Sequence, residues 1–204
     1  MLADFIFQEK FSNFAHNFKY METNNIYEFV CFETLLELKD FRQQWDEFAK
    51  VFLEKGVQRI VLNKKNGEKI KYRYISKKQW PLDSFQDVFS ESKIPGSFAA
   101  SQVKVVPTGG YASVEMGHDK KTGKAEVQVI VFVHDDIIDI KKLRESKSFK
   151  SMNIYEAFYQ NSQYNYIIEF FTDKANQDAL IAEIKNEFMK AEIGIYAEAA
   201  SIMS

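Results

Sequence analysis

The sequence predicts an α+β protein in which helices pack on one face of a largely antiparallel mixed sheet. Three observations support this class. Runs rich in aromatic and β-branched residues alternate with amphipathic stretches along the 204 residues. Several neighbouring runs are joined by turn signals, as in hairpins. Only 3 prolines and 8 glycines accompany 19 phenylalanines and 10 tyrosines, which favours long regular elements over a loop-rich scaffold.

The length fits one large domain or two small halves. We predict an N-terminal helical segment at 1–24, a first half at 25–107 and a second half at 108–204, with the halves packed as one compact unit. The first half has the element order of a ferredoxin-like βαββαβ unit. The second half is predicted to have the order ββαβαβ.

Phenylalanines at nearly helical spacing predict a short amphipathic helix at 4–18. A strand follows at 25–33. A long helix then spans 34–56, with Thr34 as its cap and Gly56 at its end. Its apolar stripe consists of Leu35, Leu38, Phe41, Trp45, Phe48 and Phe52.

Residues 57–63 and 69–76 form a predicted hairpin around an Asn-Gly turn at 66–67. A short helix opened by Pro81 and a strand at 102–107 complete the first half.

Two glycines in the segment "TGG" separate that strand from the first strand of the second half. The remaining predicted elements are a strand at 111–117, a turn at 118–123, a strand at 124–133, a basic helical stretch at 137–160, a strand at 164–172, a helix at 173–192 and a strand at 193–200. Thr34 and Thr172 are separated by as many positions as Gly56 and Gly194. This echo has two interpretations: an internal duplication, or the common strand-helix-strand pattern.

Charge and cysteine content suggest a compartment and a class of partner. The net charge is -2, but residues 56–150 are basic and their flanks acidic, which indicates an anionic partner or internal complementarity. Cys31, the single cysteine, lies in an apolar strand and is expected to be a buried thiol in a reducing compartment. We find no secretory leader and no apolar run of the ~20 residues that a membrane helix needs. We therefore expect a soluble cytoplasmic protein.

Two His-Asp steps, at 118–119 and 134–135, are the most distinctive chemical feature. About ten strand residues separate them, which places the histidines roughly 30 Å apart. One metal ion therefore cannot bind both, and we predict no metal site and no cofactor. His134, Asp135 and Asp136 follow a buried strand, and we expect Asp135 or Asp136 to cap the next helix. The alternative is that these three are the candidate catalytic residues.

The basic segment at 64–78 contains tyrosines that alternate with cations, as on a strand that stacks nucleic-acid bases. A second basic cluster lies at 141–150. The candidate anion-binding residues are Lys69, Lys71, Tyr72, Arg73, Tyr74, Lys141, Lys142 and Arg144. If the two tyrosines face the core, the lysines merely solvate the outer face of the strand.

No GxSxG, HExxH, CxxC or Walker-type motif is present. The sequence therefore predicts a non-catalytic interaction module, a regulator, adaptor or inhibitor-type partner that contacts another protein through aromatic and basic surface. A homo-oligomer is compatible with this prediction. The two alternatives are a nucleic-acid or polyanion binder acting through 64–78 and 141–150, and an enzyme with a site near His134–Asp136.

Overall fold

The structure is a computed structural model that describes residues 25–66, 71–81, 98, 102–115, 117, 126–157, 162–188 and 190–204. The predicted helices at 4–18 and after Pro81, the turn at 118–123 and the candidate Lys69 lie outside the described residues. Within the described ranges the secondary-structure elements are β1 (Asn25–Thr34), α1 (Leu38–Glu54), β2 (Arg59–Lys65), β3 (Tyr74–Pro81), β4 (Val103–Glu115), β5 (Val127–Val133), α2 (Ile140–Glu145), β6 (Ser151–Ala157), β7 (Tyr166–Thr172), α3 (Gln177–Glu187) and β8 (Ala191–Met203).

The strands form a closed barrel, not the predicted sheet covered by helices on one face. Their order around the barrel is β1-β3-β2-β8-β5-β7-β6-β4, and β4 pairs back to β1. Every pairing is antiparallel. Closure satisfies the backbone groups that an open sheet would leave exposed along its two edges. The α+β fold class is therefore wrong for this chain.

The two halves of the barrel have the same strand arrangement. Residues 25–115 give the order β4-β1-β3-β2, and residues 127–203 give β8-β5-β7-β6. The predicted ferredoxin-like sheet does not stand alone, because β2 pairs with β8 and β4 pairs with β6 across the halves. By position, β1 is equivalent to β5. The echo between Thr34 and Thr172 aligns β1 with β7 and so does not follow this repeat.

Inward side chains fill the lumen of the barrel, because successive strand residues point to opposite faces. Cys31 is free and buried there, and burial raises the pKa of its thiol. The lumen also contains one wholly buried carboxylate, Glu169, which pairs with Lys77. The aromatic residues of the lumen are Tyr27, Phe29, Tyr72, Tyr111, Phe132, Tyr155, Tyr164 and Tyr196.

Helix α1 confirms the long predicted helix, and Phe41, Trp45, Phe48 and Phe52 on its stripe are buried. Its start differs from the prediction. Leu35 precedes the helix and is 92% exposed. Thr34 does not cap the helix but donates to the carbonyl of Gln102 at 2.8 Å.

Two predictions for neighbouring segments are wrong. The glycines of "TGG" do not separate two strands but lie inside β4. Gly109 has a φ of +118° beside an irregularity in the pairing with β1. A Cβ there would lie 2.4 Å from Ser162 Oγ, so a close approach requires glycine. The predicted helical stretch at 137–160 contains only α2 and then β6, whose alternating Met152 and Ile154 pack outward.

Candidate functional site

In each half of the barrel, helical segments cover the outer face of the wall, and a space lies between wall and cover. In the first half the 17-residue α1, which connects β1 to β2, covers this space. Its aromatic side chains pack with Trp80 and Phe98 in one buried cluster. This space is filled by large rings.

The second half leaves the equivalent space partly open. Here β5 and β6 are connected by α2, which has only six residues and a single buried side chain, Leu143. A cavity of about 310 Å³ lies between α2, α3 and the outer face of the barrel. Its described lining is Lys142, Leu143, Ser146, Phe149, Phe170, Leu180, Glu183, Ile184, Asn186 and Glu187. The helix that connects the first and second strands of the half is thus much shorter beside the cavity than in the first half.

The inner part of the cavity is apolar. Phe170 points outward from β7, as Ile168 does, because these two alternate with the inward Ile167 and Glu169 along the strand. Its ring packs against Phe149, with centroids 5.1 Å apart and planes at 57°. Leu180 and Ile184 lie one turn apart on the buried face of α3 and form the opposite wall.

The mouth of the cavity is polar and is bridged by side-chain bonds. Glu183 accepts hydrogen bonds from the hydroxyls of Ser146 and Ser148, the second at 2.7 Å. Glu187, one helical turn further along α3, accepts a bond from Lys142 Nζ. This bond to Glu187 raises the pKa of Lys142. The bridges tie the segment 142–148 to α3.

The predicted catalytic residues do not line this cavity. His134 follows β5, is exposed, and places its ring centroid 4.8 Å from that of Tyr164. Asp136 Oδ1 accepts from Asn165 Nδ2 at 3.0 Å. Neither Asp135 nor Asp136 caps α2, because Asp139 does so by accepting from the Lys142 backbone N–H at 3.0 Å. Across the described ranges no group of three or more His, Cys, Asp or Glu residues could hold a metal ion.

The predicted anion-binding tyrosines are buried on opposite sides of the barrel wall. Tyr72 lies in the lumen. Tyr74 lies under α1, where its ring stacks on Phe41 with centroids 4.1 Å apart. The flanking cations form ion pairs, Lys71 with Glu192 at 2.5 Å and Arg73 with Glu37.

The second predicted cluster shows the same pairing. Lys142 pairs with Glu187, and Arg144 pairs with Glu115. Lys141 is exposed. Binding of a polyanion at either cluster stays a prediction that no described contact favours.

Lys142, a predicted anion-binding candidate, lines the cavity, but sequence reasoning missed its other lining residues. The useful signal was the spacing of α3, where Glu183 and Glu187 are four positions apart, beside an apolar pair with the same spacing at Leu180 and Ile184. Such spacing is common to all amphipathic helices that have one face in solvent. Only the tertiary contact with the segment 142–148 distinguishes this one.

Comparison with known proteins reveals similarity of fold only. No family model matches the chain, and no curated protein matches it. A mutant chlorite dismutase from Candidatus Nitrospira defluvii is 9% identical with a TM-score of 0.55, covering 87% of this chain and 93% of that chain. The chlorite dismutase of that organism in complex with imidazole is 8% identical with a TM-score of 0.53, covering 87% and 92%. Another mutant, in complex with cyanide, is 9% identical with a TM-score of 0.54 and the same coverage.

The chain shares the barrel fold of these structures. This finding overturns the prediction of a non-catalytic interaction module, which rested on the absence of catalytic motifs and on the abundance of aromatic residues. Chlorite dismutase is an enzyme by its name, so a barrel of this fold can support catalysis. In the described part of the chain, no helix is both long and apolar enough to cross a membrane.

Proposed function

We propose that the protein is an enzyme whose substrate is a small, mainly apolar molecule bound between α2, α3 and β7. The cavity itself carries this proposal. Its volume of about 310 Å³ is at the lower end of the range for ligand sites. It combines apolar walls with a few polar groups at one side, the arrangement that such sites usually have. The barrel shared with chlorite dismutase supports the assignment to enzymes.

Glu183 is the group best placed to move a proton. Two serine hydroxyls hold its carboxylate at the mouth of the apolar cavity. A positioned carboxylate can accept a proton from a bound molecule, a role that contributes roughly 10²–10⁴ in rate. The ammonium of Lys142, held by Glu187, is the one positive charge among the described lining residues.

A metal cofactor is the other chemistry to consider, because imidazole and cyanide, which are bound in two of the similar structures, are both good ligands for iron. A haem iron is held by histidine, cysteine, methionine or tyrosine. The described lining of this cavity contains none of these residue types. These residues therefore do not fit haem, and the proposed chemistry rests on the acid-base groups alone.

Binding can be tested with 2-phenylethanol, a neutral aromatic probe, by ligand-observed NMR. Ile184→Trp places a large ring in the cavity and is expected to abolish binding. Ile181→Trp is the matched control, because it makes the same change on α3 at a residue outside the described lining. Absence of binding to the wild-type protein, or undiminished binding to folded Ile184→Trp, would refute the proposed site.

Catalysis can be tested with a cellular extract of small apolar metabolites, analysed by mass spectrometry before and after incubation with the protein. Wild-type protein is expected to deplete at least one compound, and Glu183→Gln to deplete it about 10²–10⁴ times more slowly. Asp178→Asn, which removes an exposed carboxylate elsewhere on α3, is expected to retain the wild-type rate. Equal rates for wild type and Glu183→Gln would remove Glu183 from the mechanism.

The proposed compartment is the cytoplasm. Its support is Cys31, the single cysteine, which is free and buried in the lumen. Reducing compartments are where unpaired thiols are the rule. Cell fractionation that recovers the protein in an oxidising compartment would contradict this assignment.

A further inference from the structure

The charges at the mouth of the cavity point to the substrate class. We infer that the bound molecule carries a protonated amine, or another cationic group, on a short arm attached to its apolar body. This inference rests on the proposed function, because it assumes that the molecule occupies the cavity between α2, α3 and β7.

Carboxylates outnumber cations among the described lining residues. Glu183 and Glu187 each contribute a negative charge, and Lys142 is the single positive one. Glu183 is bonded by hydroxyls only and forms no ion pair with a described residue. The mouth therefore carries a net negative charge at neutral pH.

The second carboxylate also has unused capacity to accept a hydrogen bond. Lys142 donates to Glu187 Oε2, whereas Oε1 of Glu187 has no hydrogen-bond donor among the described residues. The side chain of Glu187 is only 19% exposed, so this oxygen is partly shielded from solvent. A partly shielded carboxylate oxygen is stabilised by a charged donor more than by a neutral one.

The geometry of α3 directs both carboxylates to the same place. Because Glu183 and Glu187 are four residues apart, they lie on one face of the helix. The apolar pair Leu180 and Ile184 lies on an adjacent face and forms the cavity wall. A molecule whose ring contacts that wall can thus place a short cationic arm beside the two carboxylates.

The sign of the charge distinguishes this class from the alternatives. A carboxylate or phosphate on the substrate would meet two like charges, and the only described cation of the mouth is already paired. A neutral hydroxyl would gain a hydrogen bond without the charge interaction.

The preference is expected to be modest, because Glu183 is an exposed residue and its charge is screened by solvent. Partly exposed ion pairs of this kind correspond to about a two- to fivefold change in affinity.

A matched series of probes tests the inference: 2-phenylethylamine, 2-phenylethanol and phenylacetate, measured by isothermal titration calorimetry at low ionic strength. The expected order of affinity is amine, alcohol, carboxylate. Glu183→Gln should reduce the advantage of the amine over the alcohol while the alcohol still binds. Asp178→Asn, on the same helix but outside the described lining, should keep the advantage. Circular dichroism establishes that both variants are folded.

The outcomes separate the two proposals. Equal or tighter binding of the alcohol would overturn the cationic substrate class and leave the cavity as a binding site. An amine advantage that persists in Glu183→Gln and disappears in Asp178→Asn would also overturn it. Failure of all three probes to bind the wild-type protein would overturn the proposed function itself.

Discussion

The buried carboxylate of Glu169 offers the sharpest test of the barrel. Glu169 is wholly inaccessible in the lumen and accepts bonds from Lys77 Nζ at 2.7 and 2.8 Å. It also accepts from Tyr155 Oη at 2.8 Å, Asn153 Nδ2 at 3.1 Å and Gln128 Nε2 at 3.2 Å. Lys77 belongs to the first half of the barrel and its partners belong to the second, so the pair exists only when the barrel is closed.

Lys77→Met removes the cation and leaves the carboxylate buried. Breaking a buried pair in this way costs about 3–5 kcal/mol, because the remaining charge is uncompensated. Glu169→Gln is expected to cost less, because the remaining Lys77 side chain is 17% exposed and can reach water. The double variant should be more stable than Lys77→Met, since Gln can keep the bonds to Tyr155 and Asn153 without a charge.

The effect has a defined pH dependence. Burial alone would raise the pKa of Glu169. The charge of Lys77 and the hydrogen bonds from Lys77, Asn153 and Tyr155 hold that pKa below its usual value of 4.5. The pair therefore stabilises the folded state above that value, and the contribution is lost as the pH falls through the lowered pKa. Without Lys77 burial raises the pKa of Glu169, so the cost of Lys77→Met should shrink in acid as the carboxylate gains a proton.

Urea unfolding at pH 7 and at pH 4.5, followed by the fluorescence of buried Trp45 and Trp80, measures these free energies. Lys104→Met is the matched control. It breaks a surface pair with Glu33 whose side chains are 69% and 31% exposed, so its cost should stay below about 1 kcal/mol. A cost for Lys77→Met no greater than that of Lys104→Met, or a double variant less stable than Lys77→Met, would refute the reasoning.

Two further substitutions test the packing of the barrel wall and its cover. Gly109→Ala should lower the free energy of unfolding by about 1–3 kcal/mol, because alanine at a φ of +118° is strained and its Cβ would meet Ser162; thermal unfolding no different from wild type would contradict the described backbone. Trp45→Ala should cost about 3–5 kcal/mol, because it empties a fully buried site under α1 and removes the 3.2 Å bond to Ser76 Oγ. If Trp45→Ala lowers the free energy of unfolding, measured in urea, by less than about 1 kcal/mol, this face of α1 is not packed on the barrel.

Local periodicity predicted the elements whose apolar pattern continues over several helical turns or several strand residues. The stripe through Phe41, Trp45 and Phe48 marks α1, because a helix returns the same face every three to four residues. Mostly apolar runs mark β5 and β7, which are covered on one side by helices and on the other by the lumen. The prediction for the segment 137–160 failed because a short helix and a strand follow each other within it, so no single period describes the whole segment.

The candidate site depended on contacts between distant parts of the chain. The bond from Lys142 to Glu187 and the bonds from Ser146 and Ser148 to Glu183 join residues whose nearness no local pattern encodes. The cavity likewise lies between elements that are distant along the chain, namely α2, α3 and β7.

The sequence by itself determined the long helix α1 with its apolar face and strands such as β1, β5 and β7, because neighbours along the chain set those properties. It did not determine that the strands close into a barrel. Closure depends on pairings such as that of Arg59 with Met203 and of Tyr111 with Ala157, which bring together strands from different halves. The strand pattern is compatible with an open sheet as well as with a barrel. Only the tertiary structure decided between them, because in it each strand has a neighbour on both sides and the lumen is filled.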